Sequence, residues 1–532
     1  MTALPAIVDG VTHLDDLITR AAARWPEKVA WIFDSTGESL TFADIDRRTT
    51  ALMHSFSEAG IRPGETVGLM ADNVADFPLA WLAIGRMGAT TVPLNPSYGR
   101  IDISHVVTNA GCRFVLAQDP HVAKMGELMS EIDHPPTVVA LSEFVEASTT
   151  APTHTATTPS SPIDAPANIQ FTSGTTGKPK GCVLGHDYWV WISKTLVEDF
   201  PHLSELDTVL TAQPFYYIDP QWNVTSCMLA GATLVILDGF HPSTFWQQVR
   251  DYHVTFFYCL GLMPTLLLKM PEHADDTNHR VRAVVASAIP ATIHAALEAR
   301  WGVKWYEAFG MTETGADIYV TPDIHPHTVG QGALGKPRPH RTAEIRRPDG
   351  SRCSPGETGE LFLSGPGMMR EYFKNPEATA RAMSDGWFAT GDLVSETDDG
   401  IIFFRGRSKD MIRRSGENIA AAEVEDAISH QPEVSSVAVM GVPDELRGEE
   451  VLALLVPRNS EVCGDVDASL SLVTTVREKL ANDVAPFKVP RFWAIVDSLP
   501  RGASERVQKS LIDVEAIWPN VVDTAKDKRG GR

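Results

Sequence analysis

The chain has 532 residues, with 46 Lys and Arg against 68 Asp and Glu, which gives a formal net charge of −22. An apolar fraction of 43% and a charged fraction of 21% are typical of folded globular chains and exclude a disordered protein. The acidic excess repels phosphate backbones and anionic membranes, so it argues against nucleic-acid and membrane-surface binding. Six scattered cysteines without a CxxC pair indicate neither a disulfide scaffold nor a zinc site.

No targeting or membrane-spanning pattern is visible in the sequence. Residues 1–16 lack the basic stretch and apolar run of a secretory signal. No apolar run reaches the length of about 18 residues that a bilayer requires. We therefore expect a cytoplasmic protein.

The first 150 residues alternate helix and strand patterns. Thr41 and Asp44 form a capping-box pattern that predicts the start of a helix. Residues 74–87 predict a further helix, and the predicted strands are 66–70, 90–93, 114–117 and 138–141. Strands that alternate with helices indicate a parallel α/β sheet.

The rest of the chain has three parts with different patterns. Residues 148–167 are rich in Thr, Pro, Ala and Ser, which predicts a loop or linker. The alternation of strands and helices resumes from about 200 to 330, with predicted strands at 233–237, 254–258 and 281–285 and a helix at 242–252. Residues 343–405 are predicted to be β-rich, and residues 410–515 to form a small α+β unit.

The most unusual segment is FTSGTTGKPKG at 171–181. Glycines let a backbone approach an anion, while the hydroxyls and lysines supply donors and charge for phosphate oxygens. The spacing of the glycines and Pro179 after Lys178 exclude a Walker A loop. A flexible surface turn is the alternative, but a turn does not require so many phosphate donors.

Five further segments follow this loop in the chain. They are YEAFGMTE at 306–313, TGD at 390–392, GRSKD at 406–410, SGEN at 415–418 and LPR at 499–501. With the loop, they resemble the ordered motifs of the adenylate-forming superfamily, which includes acyl- and aryl-CoA synthetases. The resemblance covers nearly the whole chain.

The resemblance implies an α/β fold in which a large N-terminal domain precedes a small one. The large domain is expected to contain two α/β sheets plus a β-barrel, and the small one to be a mobile α+β domain. Residues 1–408 are the expected N-terminal AMP-binding domain with the ATP and acyl sites. Residues 409–520 are the expected C-terminal mobile domain, and residues 521–532 a disordered tail.

The resemblance also implies a two-step reaction that uses ATP, Mg²⁺ and coenzyme A. A carboxylate attacks the α-phosphate to give an acyl adenylate and pyrophosphate, and the CoA thiol then displaces AMP. The residues expected at the β- and γ-phosphates are Thr172, Ser173, Gly174, Thr175, Thr176, Gly177 and Lys180. Thr312 is expected at the α-phosphate and Glu313 as the Mg²⁺ ligand, since a hard cation prefers carboxylate oxygen.

Other nucleotide contacts are implied along the chain. Those expected beside the adenine and acyl sites are Ser287, Ala288, Glu307, Ala308, Phe309 and Gly310. Asp392 is expected to accept the ribose hydroxyls, and Arg407 to contact ribose or phosphate. Lys409 is the expected hinge of the C-terminal domain, and Gly416 is expected to line the pantetheine tunnel. Phe309 replaces the usual tyrosine, so its ring is expected either to stack on adenine or to pack in the core.

The C-terminal motif departs from the family pattern LPRxxxGKxxxK. Glu505 and Arg506 stand where the family has glycine and lysine. Arginine keeps the positive charge but spreads it over a planar fork. Arg506 is therefore expected to be the catalytic cation of adenylation, and Lys509 is expected to face solvent.

The acyl site is expected at QPFYYIDPQWN, residues 213–223. Tyr216, Tyr217 and Trp222, with the carboxylate of Asp219, favour either an aromatic box for a quaternary ammonium or sulfonium group or a packed core. The chain is also similar to crotonobetaine/carnitine–CoA ligases in GMTET at 310–314, FWQQV at 245–249 and MIRRSGEN at 411–418.

These features predict an AMP-forming acid–CoA ligase that acts on a betaine-like or other small carboxylic acid. The alternatives are an aryl-acid CoA ligase and a nucleotide-binding protein that has lost catalysis at Arg506. The expected partners are the acid and CoA, with neither nucleic acid nor membrane, and a homodimer is the assembly considered.

Overall fold

The computed structural model describes residues 10–130, 132–149, 165–172, 179–261, 263–287, 289–407, 411–500, 507 and 509–525. They form two compact units. Unit 1 consists of Met1–Pro96, Val107–Thr172 and Gly181–Gly406, and unit 2 of Ser97–Val106, Ser173–Lys180 and Arg407–Arg532. The predicted site residues outside the described parts are Ser173, Gly174, Thr175, Thr176, Gly177, Ala288, Lys409 and Arg506.

The described helices are spread over the whole chain. They are α1 Leu14–Arg24, α2 Phe42–Glu58, α3 Asp76–Arg86, α4 Arg100–Ala110, α5 Asp119–Met129, α6 Ser142–Thr149, α7 His186–Glu198, α8 Ile218–Ala230, α9 Phe245–Asp251, α10 Met263–Leu268, α11 His294–Trp301, α12 Pro376–Ala382, α13 Ala421–Ser429, α14 Val466–Asp483 and α15 Val514–Ile517. The predicted capping box is confirmed at α2, where Thr41 Oγ1 accepts the Asp44 N–H and Asp44 accepts the Thr41 N–H. No helix in the described ranges is long and apolar enough to cross a membrane.

The strands alternate with these helices up to β13 and then follow one another closely. They are β1 Val29–Phe33, β2 Ser39–Thr41, β3 Thr66–Met70, β4 Thr90–Pro93, β5 Phe114–Ala117, β6 Thr137–Ala140, β7 Pro166–Thr172, β8 Lys180–Gly185, β9 Thr208–Thr211, β10 Thr233–Ile236, β11 Phe256–Leu260, β12 Ala283–Ser287, β13 Trp305–Met311, β14 Gly315–Tyr319, β15 Ala333–Pro337, β16 Thr342–Arg346, β17 Thr358–Ser364, β18 Met383–Ser384, β19 Trp387–Glu396, β20 Ile402–Arg407, β21 Met411–Arg414, β22 Glu417–Ala420, β23 Val434–Asp444, β24 Gly448–Pro457, β25 Phe492–Ile495 and β26 Val522–Asp523.

The first sheet has the order β6-β5-β3-β4-β7-β8. Its β3, β4, β5 and β6 pair in parallel, with Val67 opposite both Thr91 and Phe114. Every residue of β4 and β5 is buried, and β5 is accordingly a continuous apolar run. The predicted parallel α/β sheet is confirmed in this part of the chain.

The second sheet joins a parallel half to an antiparallel half through β13. Its order is β16-β17-β19-β20-β15-β14-β13-β12-β11-β9-β10-β1-β2. The strands from β1 to β13 pair in parallel apart from β2, and those from β14 to β20 pair antiparallel. The β-rich segment predicted at 343–405 is therefore present, and its hydrogen bonds continue the larger sheet. This order brings the carboxyl ends of β11, β12 and β13 side by side.

Unit 2 has its own sheet, β22-β21-β24-β25-β26, with β23 paired to β24. Its apolar core surrounds the fully buried Trp493. The predicted tail at 521–532 starts too early, because Val522 and Asp523 pair with β25 and Asp523 forms an ion pair with Arg491. The tail's remaining residues, 526–532, lie outside the described ranges.

A buried group of three charges lies within unit 2. Lys488 Nζ is 2.9 Å from Asp102 Oδ1 and also contacts Glu423, and these side chains are at most 8% exposed. Burial raises the pKa of Glu423 to about 7, although Lys488 opposes the shift. Burial lowers the pKa of Lys488, but the two carboxylates outweigh it and raise that pKa overall. One ammonium thus compensates two buried carboxyl groups.

We expect Lys488→Met to lower the opening free energy of unit 2 by about 3–5 kcal/mol, because it leaves two buried carboxylates without a cation. Hydrogen exchange of the amides in β24 measures this quantity. The matched control is Lys479→Met, which removes a pair with Glu433 whose side chains are 42% and 37% exposed; a loss of about 0–1 kcal/mol is expected there. The loss at Lys488 should shrink at pH 5, where Glu423 takes up a proton. Equal losses in both variants would contradict this.

Candidate active site

The carboxyl ends of β11, β12 and β13 carry a continuous hydrogen-bonded chain. The Tyr258 hydroxyl contacts Ser287 Oγ, and Ser287 Oγ donates to the Ala308 carbonyl oxygen at 2.7 Å. Because parallel strands end at one edge, these three side-by-side positions face the crevice where α/β sheets bind ligands. Ser287 and Ala308, both predicted as site residues, are thereby brought together.

Glu307 holds the turn that follows β12. Its Oε2 accepts the Ile289 N–H at 3.0 Å, and the side chain is buried. This bond fixes the backbone of the turn next to β13. Ala288, the neighbour of Ser287 in the same turn, lies outside the described residues.

Phe309 and Gly310 have different surroundings on β13. The Phe309 ring is only 8% exposed and packs in a core with Ile318, Leu334 and Val394. This packing is the core alternative for the ring, and adenine stacking stays a prediction. A Cβ on Gly310 would lie 2.3 Å from the Gly315 oxygen, so the tight β13–β14 hairpin requires glycine there.

The loop of this hairpin carries Thr312 and Glu313. Glu313 is buried, and its Oε1 accepts hydrogen bonds from the Tyr372 hydroxyl at 3.0 Å and from Thr172 Oγ1 at 3.4 Å. Burial raises the pKa of Tyr372, and the Glu313 carboxylate raises it further. Thr172 is the last residue of β7, so the start of the glycine-threonine loop meets the hairpin loop. Two distant motifs of the sequence are therefore in contact.

A buried ion pair stabilises the residues that follow the hairpin loop. Arg341 Nε lies 2.7 Å from Asp317 Oδ1, and Arg341 also donates to the Thr314 carbonyl oxygen at 2.6 Å. Burial raises the pKa of Asp317 to about 6, although Arg341 lowers it. The Thr314 hydroxyl donates to the same carboxylate. These contacts fix the backbone next to Glu313.

Asp392 lies at an irregularity in the pairing of β17 with β19. Glu360 pairs with Leu393 and Phe362 with Ala389, so Thr390, Gly391 and Asp392 form a bulge. Gly391 has a φ of +75° there, which favours glycine. Bulges re-aim side chains, and this one places a fully buried carboxylate at the TGD motif.

The remaining motif residues belong to the end of β20 and to unit 2. Ser415 and Gly416 form the two-residue loop between β21 and β22, with φ values of +58° and +90°. Lys180 is the first residue of β8. The side chain of Arg407 lies outside the described part of the chain, as do Lys409 and Arg506.

The expectation that Lys509 faces solvent is wrong. Its Nζ lies 2.9 Å from Glu425 Oε1, and both side chains are mostly buried, at 16% and 22% exposure. The sequence showed only that Lys509 lies one turn from Arg506. An ion pair with a residue more than eighty positions away leaves no trace in a local pattern.

The aromatic residues of the acyl segment do not all face the same partners. The Tyr216 and Tyr217 rings contact each other with centroids 4.7 Å apart. The Trp222 indole N–H instead donates to the Tyr188 hydroxyl on α7 at 3.1 Å. Phe215 is fully buried and stacks on Phe77. The structure therefore pairs two of the predicted rings and turns Trp222 toward the core.

Asp219 lies in the first turn of α8, between Tyr217 and Trp222 in the sequence. Burial raises the pKa of its carboxyl group to about 6, while its own backbone N–H lowers that pKa. Its carboxylate also raises the pKa of Tyr258, after burial as the larger cause. No described lysine, arginine or histidine forms an ion pair with Asp219. Among the described residues, the site thus contains a carboxylate that burial desolvates and that no protein cation pairs with.

A chain of buried side-chain amides holds the acyl segment, and the sequence patterns do not reveal it. The Trp81 indole donates to Asn168 Oδ1, Asn168 donates to Gln221 Oε1, and Gln221 donates to the Phe215 carbonyl oxygen, all at 2.8–2.9 Å. Asn73 further accepts the Phe215 N–H. Satisfied buried amides of this kind fix the backbone around the two tyrosines.

Within the described ranges, one group of His and Glu side chains resembles a metal cluster. His294, Glu298 and His325 bring ligand-type atoms within 4.8 Å of one another. However, His294 bonds the Trp305 oxygen and the Gly330 N–H, and Glu298 bonds His325 and Lys304. Burial raises the pKa of Glu298, but these hydrogen bonds lower it to about 2. The group is a hydrogen-bonded network that joins α11 to β13.

Comparison with known families identifies the class of protein. The family model of AMP-binding enzymes matches residues 18–373, and that of the AMP-binding enzyme C-terminal domain matches residues 423–506. The chain belongs to the AMP-binding enzymes. The class predicted from the motifs, an AMP-forming acid–CoA ligase, is confirmed.

Individual relatives resemble the chain along nearly its whole length. A crotonobetaine/carnitine–CoA ligase from Salmonella arizonae is 30% identical over 94% of this chain and 98% of its own. A sulfoacetate–CoA ligase from Cupriavidus necator is 30% identical over 93% of this chain and 96% of its own. The solved o-succinylbenzoate CoA synthetase from Bacillus subtilis shares the fold, with a TM-score of 0.83 at 24% identity over 93% of this chain and 98% of that chain.

Proposed function

We propose that the acid activated by this ligase is small and carries a cationic group. The observation that supports this most directly is Asp219, a half-buried carboxylate whose loss of hydration no described residue compensates with a cation. A buried charge is costly unless an opposite charge compensates it. A quaternary ammonium group of the substrate would supply that compensation.

The charge at Asp219 separates the two kinds of acid that the relatives' names suggest. Crotonobetaine and carnitine carry a trimethylammonium group, whereas sulfoacetate carries a second negative charge. A sulfonate beside Asp219 would be repelled in a desolvated site, while a cation would be attracted. The adjacent Tyr216 and Tyr217 rings add faces that attract a cation by about 0.5–2 kcal/mol.

In the first half-reaction, the carboxylate oxygen attacks the α-phosphorus of ATP and the bond to pyrophosphate breaks. Both reactants are anions, so cations and donors must screen the approach. We assign the β- and γ-phosphates to Lys180 and the loop that follows Thr172, and the α-phosphate to Thr312. Arg506 supplies the positive charge that meets the carboxylate and the α-phosphate.

The donor set around Glu313 fits Mg²⁺. The hydrogen bonds from described residues to this carboxylate end on Oε1, so Oε2 remains as an oxygen ligand, and hard cations prefer such ligands. When bound with ATP, Mg²⁺ would neutralise phosphate charge. Glu313 is accordingly the residue that would hold the cation.

The remaining residues hold the nucleotide and serve the second half-reaction, in which the CoA thiol attacks the acyl carbonyl and AMP leaves. We assign the ribose hydroxyls to Asp392 and the adenine and acyl walls to Ser287, Glu307 and the stretch from Ala308 to Gly310. Arg407 adds a ribose or phosphate contact. Lys409 serves as the hinge between the half-reactions, and Gly416 leaves room for pantetheine.

The charge proposal is tested with two acids of equal shape, γ-trimethylammoniobutanoate and its neutral tert-butyl isostere, by following AMP release with ATP and CoA. We expect the parent to prefer the cationic acid. Asp219→Asn should lower the ratio of kcat/KM values by roughly 10- to 100-fold, about 1.4–2.8 kcal/mol, because it removes the compensating charge.

The control for this experiment is Asp251→Asn at the exposed end of α9, where the ratio should not change. Equal use of the two acids by the parent would contradict the proposal and favour a neutral or aromatic acid. If Asp219→Asn still prefers the cationic acid, a residue other than Asp219 determines the specificity. Sulfoacetate as the best substrate would overturn the charge argument.

A further inference from the structure

The contacts of Glu313 point to a residue that none of the sequence motifs contains. Tyr372 is 59 residues away from Glu313 in the chain, and its hydroxyl donates to Glu313 Oε1 at 3.0 Å. The Tyr372 side chain is buried in the main core of unit 1. Its ring is therefore fixed by packing, and its hydroxyl donates to a carboxylate oxygen of Glu313.

The backbone around Tyr372 is held on both sides. Tyr372 forms a β-bridge with Cys182 of β8, and Phe373 N–H donates to the Gly181 carbonyl oxygen at 2.7 Å. The Tyr372 N–H donates to Thr379 Oγ1. Three residues earlier, the Met369 N–H donates to the Glu313 carbonyl oxygen at 2.7 Å. The segment thus forms hydrogen bonds with both the backbone and the side chain of Glu313.

Both described side-chain donors reach the same oxygen of Glu313. Tyr372 and Thr172 each donate to Oε1, which fixes the carboxylate plane and presents Oε2 away from the two donors. Partners of this kind orient metal-binding side chains and tune their affinity. A freely rotating carboxylate would have to lose its rotamer freedom when the cation binds.

We infer that Tyr372 is a positioning residue that orients Glu313 for the divalent cation of Mg²⁺–ATP. The inference rests on the proposed role of Glu313. Tyr372 touches neither substrate nor cation; it acts through the carboxylate. The alternative is that the tyrosine only fills the core, and its ring alone would suffice for that.

Tyr372→Phe separates these roles, because it keeps the ring and removes only the hydroxyl. Mn²⁺ replaces Mg²⁺ as the probe, since it accepts the same oxygen ligands. Paramagnetic resonance of free Mn²⁺, with a nonhydrolysable ATP analogue present, measures both the affinity and the number of sites. We expect the half-saturating Mn²⁺ concentration to rise about 10-fold with one site per chain retained.

Tyr252→Phe is the matched control. It removes a hydroxyl that donates to the carboxylate of Asp34 at 2.6 Å, at the end of α9. Mn²⁺ affinity should stay at the parent value in this variant. In the reaction itself, Tyr372→Phe should raise the Mg²⁺ concentration required for half-maximal pyrophosphate release, and excess Mg²⁺ should restore the rate.

Glu313→Gln tests the role of Glu313 separately from the role of Tyr372. If this variant binds Mn²⁺ like the parent, the proposed role of Glu313 fails, and the role of Tyr372 fails with it. If Glu313→Gln loses the site while Tyr372→Phe keeps the parent affinity, only the role of Tyr372 is overturned. A Tyr372→Phe protein with fewer than one site per chain at parent affinity has lost folded molecules, which means that the hydroxyl serves folding and overturns the positioning role.

Discussion

Replacement of Arg506 with alanine is expected to lower acid-dependent pyrophosphate release to below about 1% of the parent rate, a loss of about 2.7 kcal/mol in transition-state stabilisation. The reason is that carboxylate and α-phosphate, both anionic, meet in this step. The second step brings in a thiol and expels AMP, so thioester formation from a supplied acyl adenylate should stay close to the parent rate. The two half-reactions are measured separately, by pyrophosphate release and by thioester absorbance.

Two further variants sharpen this test. Arg506→Lys should keep much of the first step if charge alone matters, and little if the planar two-pronged donor matters. Lys509→Ala is the control, because Lys509 forms an ion pair with Glu425 and is not a spare cation. Pyrophosphate release at the parent rate in Arg506→Ala would mean that another cation serves adenylation.

Replacement of Glu313 with glutamine is expected to slow adenylation by roughly 100-fold or more, about 2.7 kcal/mol. Glutamine keeps an oxygen that can accept the hydrogen bonds of Tyr372 and Thr172, so the fold should be retained. It removes the negative charge that holds the cation. The readouts are the rate of pyrophosphate release and its dependence on Mg²⁺ concentration.

Glu357→Gln is the control for this substitution. Glu357 pairs with Arg347 on the surface of unit 1, with side chains 34–39% exposed, so only a small change is expected. A folded Glu313→Gln protein that forms adenylate at the parent rate would contradict the role assigned to Glu313.

Four strands of the first sheet, β3 to β6, could be predicted almost to the residue. The structure has β3, β4 and β5 at the predicted 66–70, 90–93 and 114–117, and β6 is shifted by one residue. The predicted runs at 114–117 and 138–141 are apolar and lie between polar residues, so composition defines both ends there. The 254–258 prediction is less accurate, because the apolar run continues and the strand is Phe256–Leu260.

Two strands of this sheet, β7 and β8, were not predicted, and β7 was missed because the sequence around it resembles a linker. The Pro-, Ser- and Thr-rich stretch was predicted to extend to residue 167, but β7 begins at Pro166 and pairs with β4. A proline at the first position of a strand is compatible with pairing, since no ladder hydrogen bond is required of it there. The linker prediction was therefore wrong at its carboxyl end.

The site could be predicted only where its residues lie in ordered motifs. Thr172 and Glu313 come from two such motifs, and the structure brings them into contact. Tyr372 and the buried amides of Asn168 and Gln221 lie outside every motif. Tyr372 lies 59 residues from Glu313, and Asn168 lies 53 residues from Gln221 and 87 from Trp81; local periodicity does not contain pairing at such distances.

The most direct test of the account is ATP–pyrophosphate exchange without CoA, followed by addition of CoA. With γ-trimethylammoniobutanoate, we expect exchange that requires the acid, ATP and Mg²⁺, because an acyl adenylate forms reversibly. Addition of CoA should then yield AMP and a thioester in equal amounts. Exchange that is independent of the acid, or cleavage of ATP to ADP, would contradict an AMP-forming acid–CoA ligase.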